Sequence, residues 1–207
     1  MFTYNCYSSD ASDAFSLDHA PEGVCAGRIE SDRYQEISFG YVPPSITYLE
    51  FKNVKLSPVA MDALRKSNVS EYVVFQGDAL TVQLPETSVP IKSIRIGSYN
   101  SADYLFSVHI PECENLYIGA KNVVLADKRL GKSTLVSAEK VTLLNCTGVE
   151  DLRLIPHGEE RQVAVVMDMP SISKAHFHDT DATITGCDNL KVVTKENSTV
   201  LNGKASK

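Results

Sequence analysis

No stretch of the 207 residues approaches the roughly 18 uninterrupted apolar residues that a membrane-spanning helix needs. Cations are in deficit: twenty Lys and Arg against twenty-six Asp and Glu leave a net charge of −6. A general nucleic-acid binder draws its affinity from excess cations that displace phosphate counterions, so that class is disfavoured. The five cysteines (Cys6, Cys25, Cys113, Cys146, Cys187) are scattered and odd in number, with no Cys-x-x-Cys pair. A zinc ribbon or a thioredoxin-like site therefore finds no support, and reduced thiols in a cytosol-like compartment are expected. There is no Gly-x-Ser-x-Gly elbow for nucleophilic catalysis. Residues 1–13 carry neither a cationic start nor an apolar segment. That reads as a cytoplasmic protein, or as one exported without a Sec signal peptide. No Pro-rich or Gly/Ser-rich linker divides the chain, and one domain is expected.

What is present is a recurring short alternation. Hydrophobic residues make up 43% of the chain, enough for a globular core. Residues 1–40 are rich in Asp, Ser and Gly without a sustained period, and are expected to form an irregular N-terminal tail or cap. From about Ile46 the pattern of a half-buried strand repeats, apolar residues flanking one outward residue. Leu49–Phe51, Val73–Phe75, Ile94–Ile96, Leu116–Ile118, Val141–Leu143 and Val163–Val165 follow one another at intervals of 21–25 residues. One strand per interval of 20–29 residues marks a stacked repeat. A single coil cannot cover its own apolar face, so the coils must pile on one another. The expected fold is mainly β with few short helices, a repeat solenoid of coils of about 22 residues over 41–200, followed by a tail at 201–207. One helix is signalled, with Ser57 as cap, Pro58 at the first helical position and Val59–Leu64 in helical spacing.

Val42 to Phe51, with Pro43, Pro44, Ile46 and Leu49, resembles the Leu-Pro-x-x-Leu-x-x-Leu-x-Leu core of leucine-rich repeats. It looks most like the Pro-containing repeats of bacterial effectors and FNIP-type proteins. Leu84-Pro85 ahead of Ile94 and Ile110-Pro111 ahead of Leu116 echo it. The resemblance implies a leucine-rich-repeat-like horseshoe with a binding surface on its strands. One feature departs from it. Such repeats place Asn or Cys three residues after the second strand apolar, where Val54, Asp78, Tyr99, Lys121 and Cys146 stand here. Only Asp78 and Cys146 suit that role, and a parallel β-helix is the alternative.

Three constellations could carry function. Strand residues facing away from the apolar ladder would line one sheet face: Glu50, Val74, Arg95, Tyr117, Thr142 and Ala164. Arg and Tyr are enriched at interface hot spots, which makes Arg95 and Tyr117 the natural anchors. His176, His178 and Asp179, with Asp181 nearby, are the best metal-like cluster, because alternate strand residues share a face. Ala126 to Ser133 fits a relaxed phosphate loop in which Lys132 would meet phosphates and Ser133 a metal ion. That loop lacks glycines and room for a following helix.

These residues point to a non-enzymatic protein-interaction module, a bacterial effector by resemblance, with a protein partner and no cofactor, nucleic acid or membrane span. The alternatives are a β-helix carbohydrate-active enzyme, a phosphate-loop nucleotide-binding protein, and a structural protein that self-associates through its end coils.

Overall fold

Strands that bury every second residue need a partner surface, and here each coil supplies it to the next. The computed structural model describes residues 3–8, 17, 23–76, 81–98, 104–105 and 107–202. In chain order the first elements are β1 (Thr3–Ser8), β2 (Ala26–Ile37), β3 (Tyr48–Leu56), α1 (Pro58–Arg65), β4 (Glu71–Gln76), β5 (Thr81–Gln83) and β6 (Ile91–Ser98). Next come β7 (Tyr104–Leu105), β8 (Ser107–His109), β9 (Cys113–Gly119), β10 (Asn122–Ala126), β11 (Ser133–Ser137) and β12 (Lys140–Leu144). The last are β13 (Asp151–Ile155), β14 (Gln162–Met167), β15 (Lys174–His178), β16 (Thr180–Thr185), β17 (Val192–Glu196) and β18 (Thr199–Asn202).

Every strand pairing among the described residues is parallel. A long sheet runs β1-β2-β3-β4-β6-β9-β11-β13-β15-β17, a second runs β18-β16-β14-β12-β10-β7, and β5 pairs with β8. From β9 onward the chain lays one strand in the long sheet, turns, lays one in the second sheet, and climbs. This is a parallel β-solenoid.

The leucine-rich-repeat expectation is therefore corrected. A leucine-rich horseshoe backs its strands with convex-side segments, whereas here a second parallel sheet closes each later coil. Among the described residues α1 is the only helix. It forms as the sequence indicates: Ser57 Oγ accepts from the Ala60 amide at 3.2 Å and Pro58 opens the first turn. The segment expected as an irregular cap carries β1 and β2, which already belong to the long sheet. Leu201 and Asn202, expected in the tail, close β18.

The core is the space between the sheets. Leu49, Tyr72, Ile94, Leu116, Thr134, Leu152 and Ala175 stack in register along one inward row. Phe51, Val74, Ile96, Ile118, Val136, Leu154 and Phe177 form the next, all buried. From the second sheet Val123, Val141, Ala164 and Ala182 face them, with Leu125, Leu143, Val166 and Ile184 beside. In β17 and β18 the inward positions beside Phe177 and Ile184 hold Lys195 and Asn202. Charged or polar residues at inward edge positions blunt further strand addition.

The coil corners carry their own ladder. Asp127, Asn145, Asp168 and Gly186 each follow a strand of the second sheet with positive φ. Asn145 Nδ2 donates to Asp127 Oδ1 at 2.6 Å. Asn and Asp tolerate the left-handed region better than other side chains. The asparagine ladder sought three residues beyond the strand sits here instead, on the other sheet. Asp78 and Tyr99, two positions of the sought ladder, lie outside the described residues.

Candidate binding face

Register decides which residues share the outer face of the long sheet. Arg28, Glu50, Val73, Arg95, Tyr117, Leu135, Arg153 and His176 stand side by side on successive strands. Of the expected row, Glu50, Arg95 and Tyr117 are here. Val74 is not: it points inward at 4% exposure, and its neighbour Val73 takes the outward place. Thr142 lies on the second sheet, opposite Val124 and Val165, and Ala164 is buried in the core. The six alternations form one series in the sequence, yet Val141 and Val163 belong to the other sheet.

The face changes character along its length. At the β2–β3 end charges compensate one another. Arg28 donates to Glu50 at 2.6 and 2.8 Å, and Lys52 pairs with Glu30. Tyr48 Oη donates to Glu50 at 3.5 Å; burial first, and then the Glu50 carboxylate, push its phenol above the usual value. Farther along, a groove of about 500 Å³ opens over β4, β6, β9 and β11. Val73, Arg95, Tyr117 and Leu135 line it together with Tyr48, Glu71, Ser93, Asn115, Ser133 and Arg153. The Arg95 guanidinium lies over the Tyr117 ring, 5.7 Å from its centroid. That ring in turn rests against Gly119, where an added Cβ would sit 3.2 Å from it. Among the described residues no ion pair is formed by Arg95. A guanidinium on an aromatic face, without a carboxylate of its own, is a charge held ready for a partner.

At the β13–β15 end Asp151 accepts from Arg153 at 3.2 Å, and its other oxygen lies 3.5 Å from His176 Nε2. His178 lies between Asp179 at 3.0 Å and Glu196 at 3.1 Å. The expected metal cluster is thus divided, with His176 beside Asp151 and His178 beside Asp179 and Glu196. Among the described residues no three His, Cys, Asp or Glu side chains come together to hold a metal.

The phosphate-loop reading meets a coil corner. Lys132 donates its amide to Cys113 O at 3.1 Å, and its carbonyl accepts from the Glu150 and Asp151 amides. Thr134 Oγ1 donates to Gly131 O at 2.7 Å. Ser133 opens strand β11, not a helix. Of the loop's amides, those of Asp127, Leu130 and Lys132 donate to neighbouring coils rather than toward a bound anion. Cys113 is buried; that burial, with Glu112 nearby, pushes its thiol up to about 11, the wrong direction for a nucleophile.

Among the described residues no helix is long and apolar enough to cross a membrane. No family model, curated relative or solved structure matches the chain, and the functional reading rests on the geometry above.

Proposed function

We propose that the chain is a non-enzymatic protein-recognition module that docks its partner on the outer face of the long sheet, centred on Arg95 and Tyr117. The observation that carries this reading is the Arg95 guanidinium stacked on Tyr117 in an open groove floored by Val73 and Leu135. Arg and Tyr beside apolar floor residues, on a rigid sheet, is the composition of an interface hot spot.

The fold itself favours a second reading, a β-helix protein acting on carbohydrate. Ser93, Asn115 and Ser133 give that reading a polar row beside the groove. The carboxylates weigh against it. Glu71 and Asp151 lie four strands apart, roughly 19 Å at the usual strand spacing, while a glycosidase pair sits about 5–9.5 Å apart. Glu50 is held by Arg28. The guanidinium also covers the Tyr117 face on which a sugar ring would stack.

A pull-down comparing the wild type with Arg95→Ala/Tyr117→Ala tests the assignment. Partners should be lost from the double variant while its thermal midpoint stays near wild type. Partners retained unchanged would refute this face, and turnover of a polysaccharide by the wild type would favour the second reading.

A further inference from the structure

The outer face of the second sheet is a separate surface, and it is apolar where a solvated sheet would be polar. Of the nine large hydrophobic residues exposed among the described residues, Val124, Leu144, Val163 and Leu201 lie on it. Val165 and Met167, partly exposed, join them on β14. Leu144, Met167, Val165 and Val163 adjoin one another, while Thr142 and Thr183 separate Val124 and Leu201 from them; an exposed apolar cluster of this kind marks an interaction site.

The order of residues across the five strands β10, β12, β14, β16 and β18 says what fits it. In the central row the register reads Val124, Thr142, Val165, Thr183, Leu201. The pattern is apolar, Thr, apolar, Thr, apolar, and it reads the same from either end. In the flanking row Lys140 and Asp181 stand at equal distances on either side of Val163. A half-turn about a line along β14 reverses the strand order and keeps each row in place. It sets Thr142 over Thr183, Val124 over Leu201 and Val165 over its own counterpart. It also sets Lys140 over Asp181 of the other copy in both directions. Asp181 already accepts from Arg161 at 2.7 Å, so Lys140 would join an existing ion pair.

From this self-complementarity we infer that the second sheet is a homodimer interface, with two copies packed face to face about a two-fold axis along β14. Flat sheets pack about 10 Å apart with interleaved side chains. An isologous contact of this kind uses the face up and stops at two copies. Five strands of about five residues span roughly 19 by 16 Å. Such a face covers about 300 Å², so two copies bury roughly 600 Å² before side-chain relief is counted, the size of a weak, reversible dimer. This interface is independent of the Arg95 groove, which lies on the other sheet.

Sedimentation equilibrium of the full chain from about 1 to about 200 μM, a range suited to an interface of this size, tests it. The wild type should fit a monomer–dimer equilibrium. Val165→Lys places two cations face to face on the axis and should weaken the dimer about 100-fold or more. Lys140→Glu should weaken it about tenfold, and Lys140→Glu/Asp181→Lys should return it to within about threefold of wild type. Arg95→Ala/Tyr117→Ala should dimerise as wild type does. If Val165→Lys lowers the thermal midpoint, Leu201→Lys at an exposed site replaces it, with the same loss expected. A strictly monomeric wild type, species larger than dimers, a Lys variant that dimerises normally, or a charge swap no better than Lys140→Glu alone would each overturn the inference.

Discussion

The two halves of the solenoid enclose the same kind of core with different lengths of chain. From β2 to β9 the register advances 22 or 23 residues per coil, as Leu49 to Tyr72 to Ile94 to Leu116. From β9 to β13, and again from β15 to β17, it advances 18, as Leu116 to Thr134 to Leu152. The shorter coil is two strands and two corners, nothing more. The longer one has four or five residues to spare, and spends them on α1 or on the β5–β8 ladder. The single long coil of the later half, β13 to β15, puts its extra residues in the exposed turn 156–161. Extra chain is accommodated outside the stack, while the strands of the long sheet keep their place.

This difference predicts unequal tolerance. Leu154 is fully buried in the short-coil half, between Val136 and Phe177. Its neighbours are fixed by coils above and below, so little can relax into a cavity. Leu154→Ala should cost about 3–4 kcal/mol, in the upper part of the range for such truncations. Met61 is buried on α1, which rides outside the stack and gains helix propensity from Ala. Met61→Ala should cost less than half as much. Urea denaturation of both variants checks this, and equal losses would mean that the two halves do not differ in rigidity.

The corner ladder is what holds the short coils to length. At Gly186 φ is +66°, and an added Cβ would lie 2.0 Å from Asp168 Oδ1. Gly186→Ala should cost about 2 kcal/mol, part from the left-handed backbone and part from displacing the carboxylate. Adding Asp168→Ala removes the clash and leaves the backbone cost, so the double variant should be more stable than the sum of the singles. Strict additivity would show that the two corners are not coupled.

Much of this was legible in sequence, and the part that was not has a physical cause. Strand periodicity, the stacking of coils and the capped helix follow from local pattern, and all three are present. The side of the molecule on which a strand lies does not. Strands on the two sheets look alike, since each is apolar–x–apolar, and only pairing tells Leu116–Ile118 on β9 from Val141–Leu143 on β12 of the next coil. Reading them as one series let the 25-residue step from Leu116 to Val141, an 18-residue coil plus a crossing to the other sheet, pass as one repeat, and it carried Thr142 onto the wrong sheet. The corner residues Asp127, Asn145, Asp168 and Gly186 held the missing signal, for each marks the end of a second-sheet strand. Val74 failed for a different reason. In Tyr72-Val-Val-Phe75 every residue is apolar, and alternation cannot say which of them face in. Arg95 and Tyr117 were recoverable because each is a polar or amphipathic residue between two aliphatic ones.

The smallest expected effect has the opposite sign. Tyr72 is fully buried in the long-coil half, and among the described residues its hydroxyl has no partner. Its ring stacks on Phe51 with centroids 6.2 Å apart and planes 20° from parallel. Phe keeps that stack and removes a buried donor that folding has stripped of water. Tyr72→Phe should therefore raise stability, by about 1 kcal/mol or less at neutral pH. Burial also pushes the phenol far above its ordinary value. A raised value in the folded state means the unfolded chain releases the proton first. Tyr72 thus draws the wild type toward unfolding once pH rises past about 10. Below that pH the gap between variant and wild type should be constant, and above it the gap should widen in favour of Phe. Chemical denaturation at pH 7 and at alkaline pH measures both. A loss on Tyr72→Phe at neutral pH would mean that the hydroxyl has found a buried water, and that the wide coils are less dry than the narrow ones.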